Sequence, residues 1–113
     1  MVQAFDLADL ASEREEQGKS YLEFLRVPDL SAGLYVLPAG GSDPQQPHTE
    51  DEVYLVMRGK GQIEVAGESR AVREGTVVFV PARTPHHFHD IEEELAILVV
   101  FAPAEYARRE QAS

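Results

Sequence analysis

Residues 40–59 read GGSDPQQPHTEDEVYLVMRG and residues 75–90 read GTVVFVPARTPHHFHD. All four histidines of the 113-residue chain fall in these two proline-flanked stretches. His48 lies in the first, and His86, His87 and His89 lie in the second. Gln46, His48, Glu50 and Glu52 share parity, so an extended chain aims them to one side, and Tyr54 continues that face with Val56 behind it. In the second stretch His86, Phe88 and Asp90 share one face, and His87 and His89 share the other. Neutral imidazole and carboxylate are donors that suit a divalent transition metal.

Working outward, the chain reads as short strands between turns. Residues 4–18 predict an amphipathic helix, with Phe5, Ala8, Leu10 and Ala11 at helical spacing, Asp6 as cap and Gly18 as stop. Residues 20–27 and Leu30–Leu37 then change to strand period. Further strands are expected at Glu52–Arg58, Gln62–Val65, Glu68–Val72, Thr76–Val80, His86–Ile91 and Glu94–Phe101. Gly59-Lys60-Gly61, Ala66-Gly67 and Arg73-Glu74-Gly75 supply turns between them. About eight strands in quick succession predict an all-β sandwich or barrel. If its strands face one another, His48, Glu52 and His86 converge, a facial set of two imidazoles and one carboxylate. His89 is the reserve donor should a bulge break the parity.

Composition narrows the rest. The length suits a single domain, residues 1–113, with a core barrel of about 20–102. There is no cysteine, so neither disulfides nor thiolate metal sites exist. A net charge of −10 repels phosphate backbones and anionic surfaces, which argues against nucleic-acid and membrane partners. The N-terminus has no basic start followed by an apolar run, so a cytoplasmic protein is expected.

The two stretches resemble the paired motifs of the cupins, which are small jelly-roll β-barrels. The first motif runs glycine, five residues, His-x-His, three or four residues, glutamate, six residues, glycine. Gly40, His48, Glu52 and Gly59 fit it, with Gln46 in place of the first histidine. The second runs glycine, five residues, Pro-x-Gly, two residues, histidine, three residues, asparagine. Gly75, Pro81, His86 and Asp90 fit it, with Arg83 in place of the glycine and aspartate for asparagine. An ordinary loop conformation is therefore expected at Arg83. Carried over residue by residue, the resemblance implies Gln46, His48, Glu52 and His86 as ligands of one divalent metal (Fe, Mn, Zn or Ni). Glutamine is the poorer donor, suited to direct ligation or to orienting a metal-bound water.

The resemblance also implies function classes. A metal-dependent enzyme acting on a small molecule is expected, with the two-His-one-carboxylate count favouring dioxygenase-like, oxidoreductase chemistry and Tyr54 as proton donor. An isomerase or lyase would use the same ligands. A non-catalytic binding module and a metal-free protein are the other readings. Small cupins usually pair, so a homodimer is expected through residues 20–27 and the preceding helix.

Overall fold

In a computed structural model, residues 2–44 and 47–106 are described. They form one helix, α1 (Leu7–Gln17), and six strands: β1 (Tyr21–Val27), β2 (Leu30–Leu37), β3 (Asp51–Val65), β4 (Glu68–Arg73), β5 (Val77–Val80) and β6 (His86–Ala102). The strands run β1-β2-β6-β3-β4, all neighbours antiparallel, and β5 pairs with β3 off that path. The fold is the all-β cupin jelly roll with a short N-terminal helix.

The expected helix is shorter than 4–18. Asp6 occupies the N-cap position, but its side chain makes no capping bond; its carbonyl accepts from the Asp9 and Leu10 amides instead. Gly18, at φ +65°, ends the helix in the left-handed conformation that glycine adopts most readily. Leu10 packs with Leu22, Leu34, Val36 and Ala96. That cluster covers the outer face of β2, while Tyr35 and Leu37 on the other parity enter the barrel core. Two covered faces explain why seven of the eight β2 residues are buried.

Eight expected strands become six, because two of the expected breaks are irregularities within continuous strands. Along β3 the buried positions are Glu52, Tyr54 and Val56, then Gly61 and Ile63. Along β6 they are His86 and Phe88, then Ile91, Leu95, Ile97, Val99 and Phe101 on the inner face, with Ala96 buried in the outer cluster beside Leu10. Parity therefore flips near Gly59 in one strand and at Asp90 in the other. Both residues have positive φ, +102° and +46°. Register between β3 and β6 shifts repeatedly from Val56 to Gln62, as expected of bulges that bend a sheet. Gly59 is required there: a Cβ on it would lie 2.1 Å from the Glu94 carbonyl oxygen. The bends let β3 and β6 stay paired along nearly their whole length while curving around a core of Tyr54, Phe88, Leu95 and Ile97.

Candidate metal centre

Glu52 opens the apolar part of β3 with its side chain inward, paired in register with Val80 of β5 and Phe101 of β6. Because Val80 ends β5 beside Glu52, the 81–85 loop needs only to turn back over the barrel to bring His86 to that carboxylate. Arg83 makes the turn at φ +60°, the left-handed region, so the ordinary conformation expected there is not the one adopted. Its amide donates to the His48 carbonyl at 2.6 Å, and the Ala82 amide donates to Asp51 Oδ1 at 2.9 Å. These two bonds lace the His86 loop to the His48 loop.

His48, Glu52 and His86 are thereby gathered with one donor atom each, all within 4.8 Å of one another. Glu52 Oε1 stands 3.1 Å from His86 Nε2 and 3.6 Å from His48 Nδ1. All three side chains are buried, Glu52 to 1 % exposure. His48 Nδ1, His86 Nε2 and both Glu52 oxygens are enclosed without a hydrogen-bond partner among the described residues, since the close approaches lack hydrogen-bond alignment. A buried carboxylate without bonds is costly unless a cation compensates it. The orphaned atoms belong to three residues whose donor atoms lie within 4.8 Å of one another, which fits a shared metal ion. Fit is improved at His86, where Nδ1 lies 2.8 Å from the Thr84 carbonyl. A carbonyl only accepts, so Nδ1 carries the proton and Nε2 presents its lone pair.

In the absence of a metal, two opposing influences act on His86. Burial disfavours its imidazolium, but the Glu52 carboxylate and the Thr84 carbonyl outweigh that, and the net direction is upward from 6.5.

A cavity of about 450 Å³ adjoins the cluster, lined by Tyr21, Tyr35, His48, Glu52, Tyr54, Phe101, Glu105 and Tyr106 among others. Tyr54 is fully buried, its ring 6.0 Å from that of His86 and 5.0 Å from Phe88. Tyr35 donates to the buried Asp43, whose other oxygen accepts the Phe88 amide at 2.9 Å. Tyr21 differs: its hydroxyl is enclosed but has no partner among the described residues. Burial, then the nearby Glu105, Glu23 and Glu52 carboxylates, raise its pKa, so it stays a neutral donor. A larger groove of about 1000 Å³, lined by Lys60, Arg70, Arg73 and Asp90 among others, has no histidine and no orphaned buried atom among its described lining residues. The candidate metal cluster adjoins the smaller cavity.

Other sequence-derived candidates fall elsewhere. Gln46 lies outside the described residues. Glu50 is buried but turns away from the cluster, accepting from Thr49 and from the Tyr106 amide. His87 and His89 face outward: His89 bonds Asp90 and Ser69, and His87 lies 3.9 Å from Glu64. Sequence reasoning missed two wall residues. Tyr21 was legible in principle, because it pairs in register with Tyr35 on the inner face. Glu105 was not, since it lies beyond β6 outside both motifs, yet its Oε2 sits 3.0 Å from His48 Nε2.

Comparison with known proteins agrees with this fold. The Cupin_2 profile, a cupin domain, matches residues 33–101, and the chain belongs to that family. An uncharacterized protein of Streptomyces coelicolor is 48 % identical over 104 residues, 92 % of this chain and 99 % of its own length. The crystal structure of TT1209 from Thermus thermophilus superposes with a TM-score of 0.71 at 26 % identity, covering 91 % of this chain and 99 % of that one. DMSP lyase DddQ from Ruegeria pomeroyi shares the fold at a TM-score of 0.66 and 21 % identity, over 77 % of this chain and 49 % of that one. No helix among the described residues is long and apolar enough to cross a membrane.

Proposed function

We propose that this cupin holds one divalent transition metal on His48, Glu52 and His86 and acts as a metal-dependent, dioxygenase-like oxidoreductase on a small molecule admitted to the cavity. One observation carries the reading: four enclosed donor atoms without hydrogen bonds among the described residues gather beside a cavity of about 450 Å³. A cation held there supplies a Lewis acid toward a chelated oxygen and, as iron, an electron donor to dioxygen.

The chain's own groups divide the remaining work. Thr84 orients His86, and the Tyr21 hydroxyl donates to an acceptor oxygen of the bound molecule. Tyr54, against the His86 ring, is the proton donor in this scheme. Gln46, two residues before His48, is the further polar donor to the shell. The cavity supports turnover over a purely structural metal, which would need no space for a second molecule. Isomerase or lyase chemistry would use the same residues, and the same protein pairs through residues 20–27 and the preceding helix as a homodimer in this reading.

The test is metal analysis of protein purified without a histidine tag, together with His48→Ala and His86→Ala. Near-stoichiometric metal in the wild type, lost in both variants with the β-rich far-UV signal intact, is expected. Metal content unchanged in the double variant overturns the ligand assignment. Oxygen uptake by the iron-loaded protein across a panel of small chelating acids and diols separates the oxidative reading from the others.

A further inference from the structure

The cavity beside the metal cluster and the larger groove differ in charge. In the groove the cations Lys60, Arg70 and Arg73 outnumber the acids Asp90 and Glu92. The described lining residues of the cavity include no lysine or arginine, and they offer the carboxylates of Glu52 and Glu105. Five aromatic rings complete its wall, those of Tyr21, Tyr35, Tyr54, Phe101 and Tyr106. Tyr21 meets Tyr35 edge-on with ring centroids 6.1 Å apart, and Tyr106 stacks on His48 at 5.6 Å.

Glu52 belongs to the metal cluster, but Glu105 stands outside it. The main chain of Glu105 is fixed: its amide donates to Ser31 Oγ at 2.9 Å, and its carbonyl accepts from Arg26 at 2.9 Å. The nearby guanidinium therefore holds the backbone of Glu105 and not its carboxylate. That carboxylate approaches His48 Nε2 to 3.0 Å without an aligned hydrogen bond, and no lysine or arginine among the described residues forms an ion pair with it. A histidine that binds a metal is neutral, so His48 as a ligand brings Glu105 no compensating charge. The Glu105 side chain is only 15 % exposed, so water screens its charge less than that of a surface carboxylate. After burial, Glu105 is also the largest influence raising the pKa of Tyr21, which puts the Tyr21 hydroxyl within its field.

A partly dehydrated carboxylate edged by π-faces attracts a cation by charge and by ring quadrupole together. An anion of the same size meets both as repulsion, and the net charge of −10 adds a field of the same sign. Resting on the reading that a small molecule enters this cavity, we propose that the molecule carries an ammonium group. The group binds beside the Glu105 carboxylate and the Tyr21 and Tyr106 rings, and an oxygen function of the same molecule serves the metal cluster.

Choline and its uncharged carbon isostere, the alcohol with a tert-butyl group in place of trimethylammonium, differ by one charge at nearly constant shape. Isothermal titration of the full chain, with metal content measured on the same sample, should show choline bound about 10-fold more tightly. Glu105→Gln should bring the two affinities within about 3-fold of each other. Tyr106→Leu should weaken choline more than the isostere, and it tests the cation site should Glu105→Gln lose the β-rich far-UV signal. Equal affinities in the wild type overturn the inference, as does tighter binding of the isostere or no saturable binding of choline at millimolar concentration. A preference for choline that survives in both variants also overturns it, since the cation would then bind elsewhere. Wild-type protein without metal overturns the proposed function instead, while the ratio of choline to isostere affinity still decides the charge of the ligand.

Discussion

The ring of Tyr21 lies over Gly33: a Cβ added to Gly33 would stand 2.2 Å from Tyr21 Cζ. The absent side chain on β2 is what lets this β1 tyrosine lie across the inner face and bring its hydroxyl to the cavity.

Gly33→Ala should therefore act on the cavity before it acts on the fold. The ring is partly exposed and belongs to an edge strand, so it can swing outward. A loss of about 1–3 kcal/mol is expected, in the range of a small overpacking. A crystal structure of the variant should show Tyr21 displaced. A ring still in place at unchanged stability would refute the packing account.

Tyr21→Phe should leave the free protein as stable as before or more so. An enclosed hydroxyl without a partner contributes no hydrogen bond to the fold, and removing it removes a desolvation cost of about 1–3 kcal/mol. Thermal denaturation checks this. A clear drop in Tm would mean that the hydroxyl serves the fold.

The metal-free protein should lose stability as pH rises above 6.5. The His86 pKa is raised in the folded state, so the native chain binds that proton more tightly than the unfolded chain. The contribution is complete below the unfolded value of 6.5 and disappears as pH climbs through the raised folded value. Denaturant unfolding of chelator-treated protein between pH 6 and 9 should show the decline. Glu52→Gln should flatten it, because the carboxylate that holds the proton is gone. The same variant should lose bound metal. An equal decline in the variant would place its origin elsewhere.

Gly59→Ala should cost about 2–5 kcal/mol, combining a left-handed backbone with a Cβ driven against the Glu94 carbonyl. Urea midpoints measure it. A cost below about 1 kcal/mol would show that the strand crossing can relax.

The site's three central residues were legible because their information is local. His48 and Glu52 lie four residues apart, and His86 follows the apolar run that pairs with Glu52's strand. Period-two patterning then gave the inward face. The parity flips were not legible as such. A Gly-Lys-Gly triplet reads equally as a turn, and only the partner strand, with Asp90 at positive φ, makes it a bulge. Arg83 misled for a related reason. Its left-handed backbone is held by the bond from its amide to the His48 carbonyl, a contact between loops that no local pattern encodes. Glu105 lies beyond β6 and is held by Arg26 and Ser31, residues far from it in sequence, so no local pattern encodes its place.

The paired parity flips at Gly59 and Asp90 fix the chain's reading frame. Removing one residue at either point would turn the adjoining half-strand over, sending Gln62 inward for Ile63, or His87 inward for His86. Loop length can drift elsewhere in this barrel, but at these two crossings the count of residues is itself part of the binding chemistry.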